Sequence, residues 1–442
     1  MNSRALAAAI IDQTMEQGGK SHELLRAAFR ENPGLDVRER NLITALVHGT
    51  VSRALTLDGY LDQISRTPAA RLKPYLRSVL RMGLYQILYM DRIPAAAAVN
   101  ESVKLVRKRF GEGLTGFANG VLRAAARKSD WTAPEGAAAL SLPPDLYEYL
   151  VSLYGTAETE RIGGHFLAPP TLWGRVNTSR AAAEEVVASL KSEGVTAEPS
   201  GLLPEALRLQ RAKTEEAVPL EALTAVRNGW LQLQDLSSQL AVAAAAPQPG
   251  MRVLDLCAAP GGKSLHAADL MRGEGELLAC DISAEKCRLI EENAARSGFS
   301  CIRPVISDAL AFDPAKENAF DLVIADLPCS GLGIAGRKPE IKYRVTLSQI
   351  HDLAALQRQM LDNAVRYVKP GGTLLFSTCT LTREENTDNA RRLAAEKGLR
   401  PKPVSCPPPL PGREDAPHVR RLLPGDFGGD GFFFSLFTKE KT

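Results

Sequence analysis

The sequence predicts a multidomain protein with an all-α domain first, a small α+β module next, and a doubly wound α/β domain last. Apolar residues recur at three-to-four spacing through residues 1–129, with no competing strand-like alternation. From about residue 236, strand-like and helical runs alternate, which is typical of a mostly parallel sheet covered by helices. The predicted domains are 1–130, 143–235 and 236–442.

Three apolar faces define the helical domain. The first ends before Pro94, a residue that cannot continue a helix. The second ends in the basic run Arg107-Lys108-Arg109. The faces are formed by Leu76, Val79, Leu80, Leu84, Ile87 and Leu88, by Val99, Val103, Val106 and Phe110, and by Leu114, Phe117, Val121 and Leu122. The spacing therefore predicts successive amphipathic helices.

A proline-rich stretch separates this domain from the middle module. Residues 130–146 contain three prolines and an alanine run, so they are predicted to be a linker. The run from Leu172 to Asn177 is strand-like, and Ser179 to Gly194 is helical, with the glycine as a typical C-cap. Residues 206–211 and 230–233 add candidate strands. These elements predict a small α+β module.

The last domain alternates between the two kinds of element. Its strand-like runs are 251–257, 276–282, 302–306, 320–327, 373–380 and 431–437, and its helical runs are 264–271, 284–297, 348–368 and 383–397. The proline-rich stretch 401–411 is predicted to be a loop. Because open α/β sheets bind ligands at the carboxyl ends of their strands, residues that follow these strands are the candidates for a site.

The composition is that of a soluble globular protein, with 45% hydrophobic and 24% charged residues. No apolar run approaches the roughly 20 residues that a membrane-spanning helix needs, and the first residues lack the pattern of a secretion signal. All seven cysteines lie after residue 256, without a Cys-x-x-Cys pair. We therefore expect neither a metal site nor a disulfide framework, and a cytoplasmic location.

The net charge of +3 hides an asymmetry along the chain. Residues 1–129 contain 20 Lys and Arg against 11 Asp and Glu, a charge of +9, whereas the remainder has 34 against 40, a charge of −6. A basic first domain favours a polyanionic partner such as nucleic acid. Solvated helix faces would give the same count, so charge alone leaves both interpretations open.

A glycine turn follows the first predicted strand of the last domain. It reads Cys257-Ala258-Ala259-Pro260-Gly261-Gly262-Lys263. A nucleoside-triphosphate loop would need a glycine where Cys257 stands, so that interpretation fails. Small residues before a helix instead let a ligand approach the backbone and its free amides.

Acidic residues end the next three predicted strands. These positions are occupied by Asp281, Asp308 and Asp326. The carboxylate of Asp281 can accept hydrogen bonds from ribose hydroxyls. A single aspartate there usually caps a turn, but three after a glycine turn indicate a nucleoside ligand. The dinucleotide pattern Gly-x-Gly-x-x-Gly is absent, so the sequence favours S-adenosylmethionine over a nicotinamide cofactor.

Two cysteines follow two different strands of the same predicted sheet. Cys329 lies in the segment Asp326-Leu327-Pro328-Cys329, and Cys379 lies in Ser377-Thr378-Cys379. Carbon 5 of a pyrimidine is a poor nucleophile, but a thiolate added at carbon 6 activates it toward a methyl sulfonium. A second acid/base group must then remove the carbon-5 proton. Each cysteine alone could be a buried hydrophobe, whereas the pair predicts methyl transfer to carbon.

Two resemblances extend this interpretation. Ile93-Pro94, Asn100-Glu101-Ser102-Val103 and Phe117 to Leu122 resemble the NusB antitermination factor, an all-helical RNA-binding domain. The last domain resembles the RNA cytosine-5 methyltransferases of the RsmB (Sun/Fmu) family. The matching segments are Gln234 to Gln239, Leu254 to Lys263, Asp281, Asp308, Asp326 to Gly331, Arg337 to Lys342, Ser377 to Thr380, Glu384 to Asn386, Leu422 to Gly425 and Asp430 to Phe434.

The second resemblance implies roles for single residues. Cys379 matches the nucleophile, and Cys329 matches the residue that assists release of the covalent product. Asp326 would also steady the target base, and Lys263 would orient groups near the nucleophile. The residues implied to bind S-adenosylmethionine, which leaves as S-adenosylhomocysteine, are Cys257, Ala258, Ala259, Pro260, Gly261, Gly262, Lys263, Asp281, Asp308 and Asp326.

The family implies a NusB-like RNA-binding domain, a small α+β RNA-binding module and a Rossmann-like methyltransferase domain that together modify one cytosine of small-subunit (16S) ribosomal RNA. Free or early-assembly RNA is the expected substrate, and a monomer without membrane or metal partners is the expected state. Two alternatives stay open. One is a transfer-RNA cytosine-5 methyltransferase, and the other is a catalytically silent RNA-binding factor of ribosome assembly or antitermination.

Overall fold

A computed structural model describes residues 2–211, 219–395, 398–406 and 416–441. Two compact units divide the chain. The helical unit comprises the chain up to Pro170 together with Ala335–Val345, and the sheet unit comprises Thr171–Ile334 and the chain from Thr346 onward. Helical, small α+β and doubly wound parts are all present, so the predicted fold class is confirmed. The three domain boundaries stay a prediction.

Within the described residues the helical unit contains ten α-helices, a single-turn α-helix and the short 3-10 helix Ala69–Arg71. The α-helices are α1 (Ser3–Glu16), α2 (Ser21–Glu31), α3 (Val37–Ser52), α4 (Ala54–Leu61), α5 (Pro74–Tyr89), α6 (Ala95–Phe110), α7 (Glu112–Arg127), α8 (Gly136–Ala139), α9 (Pro144–Tyr154), α10 (Thr156–Leu167) and the turn Ile341–Arg344.

Local chemistry fixes where these helices begin. Asp36 caps α3 with its carboxylate while Glu39 bonds back to the Asp36 amide, which forms a complete capping box. Pro144 occupies the first turn of α9, where its missing N–H costs nothing. The prediction of a linker over 130–146 was wrong in part, because α8 and the start of α9 lie within this range.

The predicted apolar faces form the core of the helical unit. Val79, Leu80 and Leu84 of α5 are fully buried, and they pack with residues of α1, α3, α6 and α7. Helix α5 already ends at Tyr89, and Pro94 directly precedes α6. The proline therefore starts the next helix, which its fixed φ angle favours.

The segment Ala335–Val345, which follows the Pro-Cys motif in sequence, folds as part of the helical unit. Glu340 is buried, and its two carboxylate oxygens accept from the backbone N and Oγ of Ser21 at 3.0 and 2.8 Å. Arg344 Nη2 donates to the carbonyls of Thr14 and Gly19 at 2.7 and 2.6 Å. Specific buried polar contacts therefore hold this segment in place.

The first part of the sheet unit is a small antiparallel sheet with strand order β2-β3-β1-β4. Its elements are β1 (Leu172–Val176), α11 (Ala183–Ser192), β2 (Val195–Pro199), β3 (Ala206–Arg211), α12 (Thr224–Arg227) and β4 (Leu231–Leu233). The sequence did not predict β2. It is an edge strand with a single fully buried residue, Val195, so it has no apolar alternation to detect.

The second part is a doubly wound sheet. Its helices are α13 (Leu236–Ala245), α14 (Gly262–Leu270), α15 (Ala284–Ser297), α16 (Leu347–Tyr367) and α17 (Thr387–Ala394). Its strands are β5 (Arg252–Asp255), β6 (Glu276–Asp281), β7 (Ile302–Ile306), β8 (Phe320–Asp326), β9 (Val368–Thr378), β10 (Leu399–Pro401), β11 (Val419–Leu422) and β12 (Phe432–Lys439).

The strand order is β10-β12-β9-β8-β5-β6-β7, with β11 paired to β12. Strands β7, β6, β5, β8 and β9 run parallel, and β12 is antiparallel to β9. Successive residues of each central strand enter opposite cores. In β8, Leu322 and Ile324 pack on one side of the sheet and Val323 and Ala325 on the other. Burial on both faces explains why the strands have continuous apolar sequences.

Three predictions at the end of the chain need correction. The sequence did not predict β10 or β11, which are short strands of three and four residues. The predicted loop 401–411 begins in β10, and its residues 407–411 lie outside the described residues. The predicted helix 383–397 begins only at Thr387, and its residues 396 and 397 also lie outside the described residues.

Candidate active site

The site lies where the strand order reverses. Strand β5 is flanked by β8 on one side and β6 on the other, and the chain continues from β5 into the glycine turn. Connections leave toward opposite faces of the sheet at such a point, which opens a crevice at the carboxyl ends of the strands.

The glycine turn is shaped by its backbone. The Ala258 amide donates to Cys280 O at 2.8 Å, and the Gly261 amide donates to Ala258 O at 2.7 Å. Gly261 has a φ angle of 105°, a left-handed conformation that favours glycine, and it directly precedes α14. The turn therefore presents the amino end of a helix to the crevice, where the helix dipole favours anionic groups.

A cavity of about 210 Å³ opens beside the turn. It is lined by Gln232, Leu233, Gln234, Asp235, Ser238, Asp255, Cys257, Ala258, Ala259, Pro260, Gly262, Lys263 and Asp326. Seven of the predicted cofactor residues are among them. The predicted residues Gly261, Asp281 and Asp308 are outside this lining.

Asp255 forms the floor of the cavity and was not among the predicted site residues. Its side chain is 1% exposed, and Oδ2 accepts from Ser264 Oγ at 2.7 Å. Burial, followed by the effect of the nearby Asp326 carboxylate, raises the pKa of Asp255 to about 7. Among the described residues, its Oδ1 has no hydrogen-bond partner. A buried acceptor at a cavity wall fits a ligand that brings a donor.

Asp281 and Asp308 differ in their surroundings. Asp281 is buried at the end of β6, where Oδ2 accepts from the Ala259 amide at 3.3 Å and Oδ1 pairs with Lys286 Nζ at 3.1 Å. It is therefore connected directly to the glycine turn. Asp308 is exposed beyond β7, and its carboxylate accepts from the Leu310 amide at 2.9 Å.

A partly buried ion pair connects the turn to β8. Lys263 Nζ lies 2.7 Å from Asp326 Oδ2, and Ser377 Oγ of β9 donates to Asp326 Oδ1 at 2.7 Å. Burial opposes the charge on Lys263, but the negative charges of Asp326, Asp255 and Cys379 outweigh it and raise the pKa of the lysine. Lys263 is therefore a cation at neutral pH.

The two motif cysteines meet at the carboxyl edge of β8 and β9. Asp326 and Ser377 are opposite each other in these parallel strands, so the residues that follow them emerge side by side. The Sγ atoms of Cys329 and Cys379 are 3.5 Å apart, and both side chains are half-buried. The predicted convergence of the two thiols is thus present in the structure.

The environment of Cys329 keeps it protonated. Its contact with Cys379, then burial, then the negative charges of Glu385 and Asp326 raise the pKa of the Cys329 thiol well above its ordinary value.

The backbone that follows Cys329 is also fixed, because the Gly333 amide donates to Cys379 O at 3.0 Å. A Cβ at Gly333 would lie 2.1 Å from Gly431 O, so this approach requires glycine.

No helix in the described ranges is both long and apolar enough to cross a membrane. No group of three or more His, Cys, Asp or Glu residues in the same ranges could hold a metal ion. A doubly wound sheet with a glycine turn and acidic strand ends at its switch point is the arrangement of an S-adenosylmethionine-dependent methyltransferase, and here a thiol pair lies beside it.

Comparisons with known proteins identify the family. The model for "16S rRNA methyltransferase RsmB/F" matches residues 242–438, that for the NusB family matches 1–127, and that for a RsmF/B-like ferredoxin-like domain matches 142–214. "Probable ribosomal RNA small subunit methyltransferase B" of Bacillus subtilis is 34% identical over 432 residues, 95% of each chain. The chain belongs to the RsmB family of ribosomal RNA methyltransferases, as the sequence predicted.

Other relatives and solved structures agree with this assignment. The probable methyltransferase B of Synechocystis is 32% identical over 99% of this chain and all of that relative. The crystal structure of PH0851 has a TM-score of 0.82 at 25% identity and covers 99% of both chains. That of NSun6 from Pyrococcus horikoshii with SFG has a TM-score of 0.60 at 25% identity, over 68% of this chain and 99% of that one.

Proposed function

We propose that this protein transfers a methyl group from S-adenosylmethionine to carbon 5 of one cytosine in 16S ribosomal RNA through a covalent adduct with Cys379. The observation that supports this most is the 3.5 Å approach of the Cys329 and Cys379 thiols beside the Lys263–Asp326 pair. Methyl transfer to nitrogen or oxygen would need no thiol, whereas transfer to carbon 5 needs a nucleophile and a second acid/base group.

The cofactor would be held at the cavity beside the glycine turn, where it supplies an electrophilic methyl group. The residues that would hold it are Cys257 to Lys263, Asp281, Asp308 and Asp326. Asp281 suits the ribose hydroxyls because its carboxylate is fixed by Lys286 and by the turn itself. Asp308 would lie near the adenine, which its exposed position beyond β7 allows.

The two thiols differ in their surroundings, and this difference supports their roles. Lys263 is a cation whose charge interacts favourably with a Cys379 thiolate. Cys329 keeps its proton, because its surroundings raise the pKa of that thiol. Cys379 would therefore be the nucleophile, and Cys329 would act afterwards.

In this mechanism Cys379 Sγ bonds to carbon 6 of the cytosine, which makes carbon 5 an enamine carbon able to accept the methyl group. Asp326 would hold the base in place during this step, and Lys263 would orient the groups around it. The carbon-5 proton then passes to a second acid/base group, its bonding electrons restore the carbon 5–carbon 6 double bond, and the bond between Cys379 Sγ and carbon 6 breaks so that Cys379 leaves as a thiolate. Cys329 would assist that release.

The target base must leave its stack to reach both thiols, because neither could contact a base inside a helix. RNA phosphates would contact the basic helical unit, whose run Arg107-Lys108-Arg109 is exposed at the end of α6. We further propose that the substrate is free or early-assembly RNA, that the protein acts as a monomer, and that it is cytoplasmic. A factor that only binds RNA would have no need of a thiol pair beside Lys263, which argues against the catalytically silent alternative.

The test uses single cysteine variants incubated with 16S RNA and cofactor. Cys379→Ala should abolish methylation and form no covalent complex. Cys329→Ala should attack and then fail to release, so a protein–RNA adduct that survives denaturing electrophoresis should accumulate. Cys301→Ala, at a half-buried thiol outside the site, is the matched control and should behave like wild type.

Each alternative has a distinct result. An adduct with Cys379→Ala and none with Cys329→Ala would reverse the two roles. Full activity in both variants would reject the cysteine mechanism. Bisulfite sequencing of ribosomal and transfer RNA from a strain without the protein identifies the substrate, and loss of a modified cytosine only in transfer RNA would refute the ribosomal assignment.

A further inference from the structure

A carboxylate lies buried behind the two cysteines and has no role in the mechanism above. Glu385 is 0% exposed, and it is placed by the turn that precedes α17. Its Oε1 accepts from the Ser330 amide at 2.8 Å, and its Oε2 accepts from Ser330 Oγ at 2.5 Å. Both carboxylate oxygens of Glu385 therefore accept hydrogen bonds from Ser330, the residue that directly follows Cys329.

The same carboxylate also holds the loop that follows the other cysteine. Thr382 Oγ1 donates to Glu385 Oε2 at 2.7 Å, and Ser330 Oγ lies 2.6 Å from Thr380 Oγ1. Thr380 and Thr382 are one and three residues beyond Cys379. Glu385 therefore connects the loop after Cys329 to the loop after Cys379 through hydrogen bonds with side chains of both loops.

A second layer of contacts fixes the position of the carboxylate. Gln357 Nε2 of α16 donates to Glu385 Oε1 at 3.1 Å and to Pro328 O at 2.9 Å. Asn389 Nδ2 of α17 donates to Gln357 Oε1 at 3.0 Å. Gln357 and Asn389 are both fully buried, so water does not compete for these bonds. The network thus reaches both sides of Cys329, at Pro328 and at Ser330.

We propose that Glu385 is a positioning residue that sets the spacing of the Cys329 and Cys379 thiols and thereby controls release of the methylated product. The inference rests on the proposed two-cysteine mechanism for its effect on release, but the spacing itself can be measured without any reaction. The charge of Glu385 also contributes to keeping the proton on Cys329, which suits a group that acts after the attack.

Two substitutions separate position from charge. Glu385→Gln has the same shape, and the hydroxyls of Ser330 and Thr382 can each turn to accept from the new amide. Glu385→Ala removes every hydrogen bond that the carboxylate makes to the two loops. Ser330→Ala is a milder change that keeps the backbone contact at 2.8 Å and loses the hydroxyl contacts, so it serves if the alanine variant of Glu385 fails to fold.

The first measurement is cross-linking of the two thiols by a short reagent with two thiol-reactive arms, followed by mass spectrometry of the Cys329–Cys379 peptide pair. Wild type and Glu385→Gln should cross-link at similar rates. Glu385→Ala should cross-link about tenfold more slowly, because proximity drives the second reaction. Ser330→Ala should be intermediate. Wild-type rates in both alanine variants would overturn the proposal.

The second measurement is turnover with 16S RNA and recovery of the denaturation-resistant adduct. Glu385→Ala should accumulate adduct and lose about tenfold to a hundredfold in turnover, as expected for a misplaced group. Glu385→Gln should restore release, and cofactor affinity should stay unchanged in both. Glu384→Ala, at the neighbouring half-buried acid that pairs with Arg383, is the matched control.

The two measurements fail independently. If the cysteine mechanism is wrong, no variant gives an adduct, yet cross-linking still shows whether Glu385 sets the thiol spacing. If Glu385→Ala slows cross-linking but releases product at the wild-type rate with no adduct, while Cys329→Ala does accumulate adduct, the control of release is refuted.

Discussion

Lys342 provides a pH-dependent test of the segment that the helical unit incorporates. Its side chain is 0% exposed, and Nζ donates to Ser52 O at 2.7 Å and to Leu140 O at 3.3 Å. Burial, with a smaller contribution from the Arg53 charge, lowers the pKa of Lys342 from 10.5 to about 7. The folded unit therefore binds this proton more weakly than the unfolded chain does.

The sign of the effect follows from proton binding. Between about pH 7 and 10.5 the unfolded lysine is protonated while the folded one has lost its proton, so the free energy of unfolding rises with pH. The full effect is at most roughly 5 kcal/mol, since each pKa unit is worth about 1.4 kcal/mol. From about pH 7 to about pH 9 the gain is therefore up to roughly 3 kcal/mol.

The perturbation is Lys342→Met, which keeps the length of the side chain and removes its charge. In the wild type the unfolding midpoint of the helical unit should rise by roughly 5–10 °C over this interval relative to the variant, at about 2–4 °C per kcal/mol. Lys338→Met, at a half-buried position of the same segment, should retain the wild-type dependence.

The assay needs a signal confined to the helical unit. The chain has three tryptophans, and Trp131 packs edge-on against Tyr60 in that unit with 5.2 Å between ring centroids. Replacing Trp173 and Trp230 by phenylalanine leaves Trp131 emission as the reporter of thermal unfolding. If wild type and Lys342→Met had the same pH dependence, Lys342 would not be a buried lysine of lowered pKa. The described packing of the segment Ala335–Val345 in the helical unit would then be wrong.

Two further predictions concern ligands. Asp281→Ala should weaken S-adenosylmethionine binding by about ten- to a hundred-fold, because a charged hydrogen bond is worth roughly 1.5–3 kcal/mol; unchanged affinity by calorimetry would reject the ribose role. Replacing Arg107, Lys108 and Arg109 by glutamine should lower RNA affinity and reduce the salt slope by about 2 if all three contact phosphates. An unaltered salt slope would mean that these three residues are only a solvated surface and do not contact RNA phosphates. These substitutions are preferable to deleting residues 1–129, which would also remove the partners of buried Glu340 and Lys342.

Periodicity in the sequence was sufficient for the order and kind of the main elements. Strands β5 and β8 and the carboxyl-terminal half of β9 are buried on both faces, so each contains an apolar run that is easily recognised. The glycine turn and the acids after β6 and β8 follow from the same pattern, because such residues lie at the ends of strands. Short edge strands leave no comparable signal, because β2 buries only one of its five residues and β11 is only four residues long.

The cysteine pair shows how far sequence reasoning reached into the site. Each cysteine follows a strand, and parallel strands bring their carboxyl ends to one edge, so convergence of Cys329 and Cys379 could be predicted. The 3.5 Å distance could not, because it depends on the register of β8 and β9 and on side-chain contacts that form only in the folded chain. Asp255 was missed although it lies only two residues before the turn, because an aspartate at a strand end is usually an ordinary turn former.

What the sequence determined by itself is therefore the set of elements and the chemistry of the residues at their ends, since both depend on spacing along the chain. Only the tertiary structure decided which distant segments fold together. The segment Ala335–Val345 follows the Pro-Cys motif in sequence, yet its Glu340 is bonded to Ser21, 319 residues away. Such contacts depend on the burial and satisfaction of polar groups in three dimensions, which periodicity along the chain does not record.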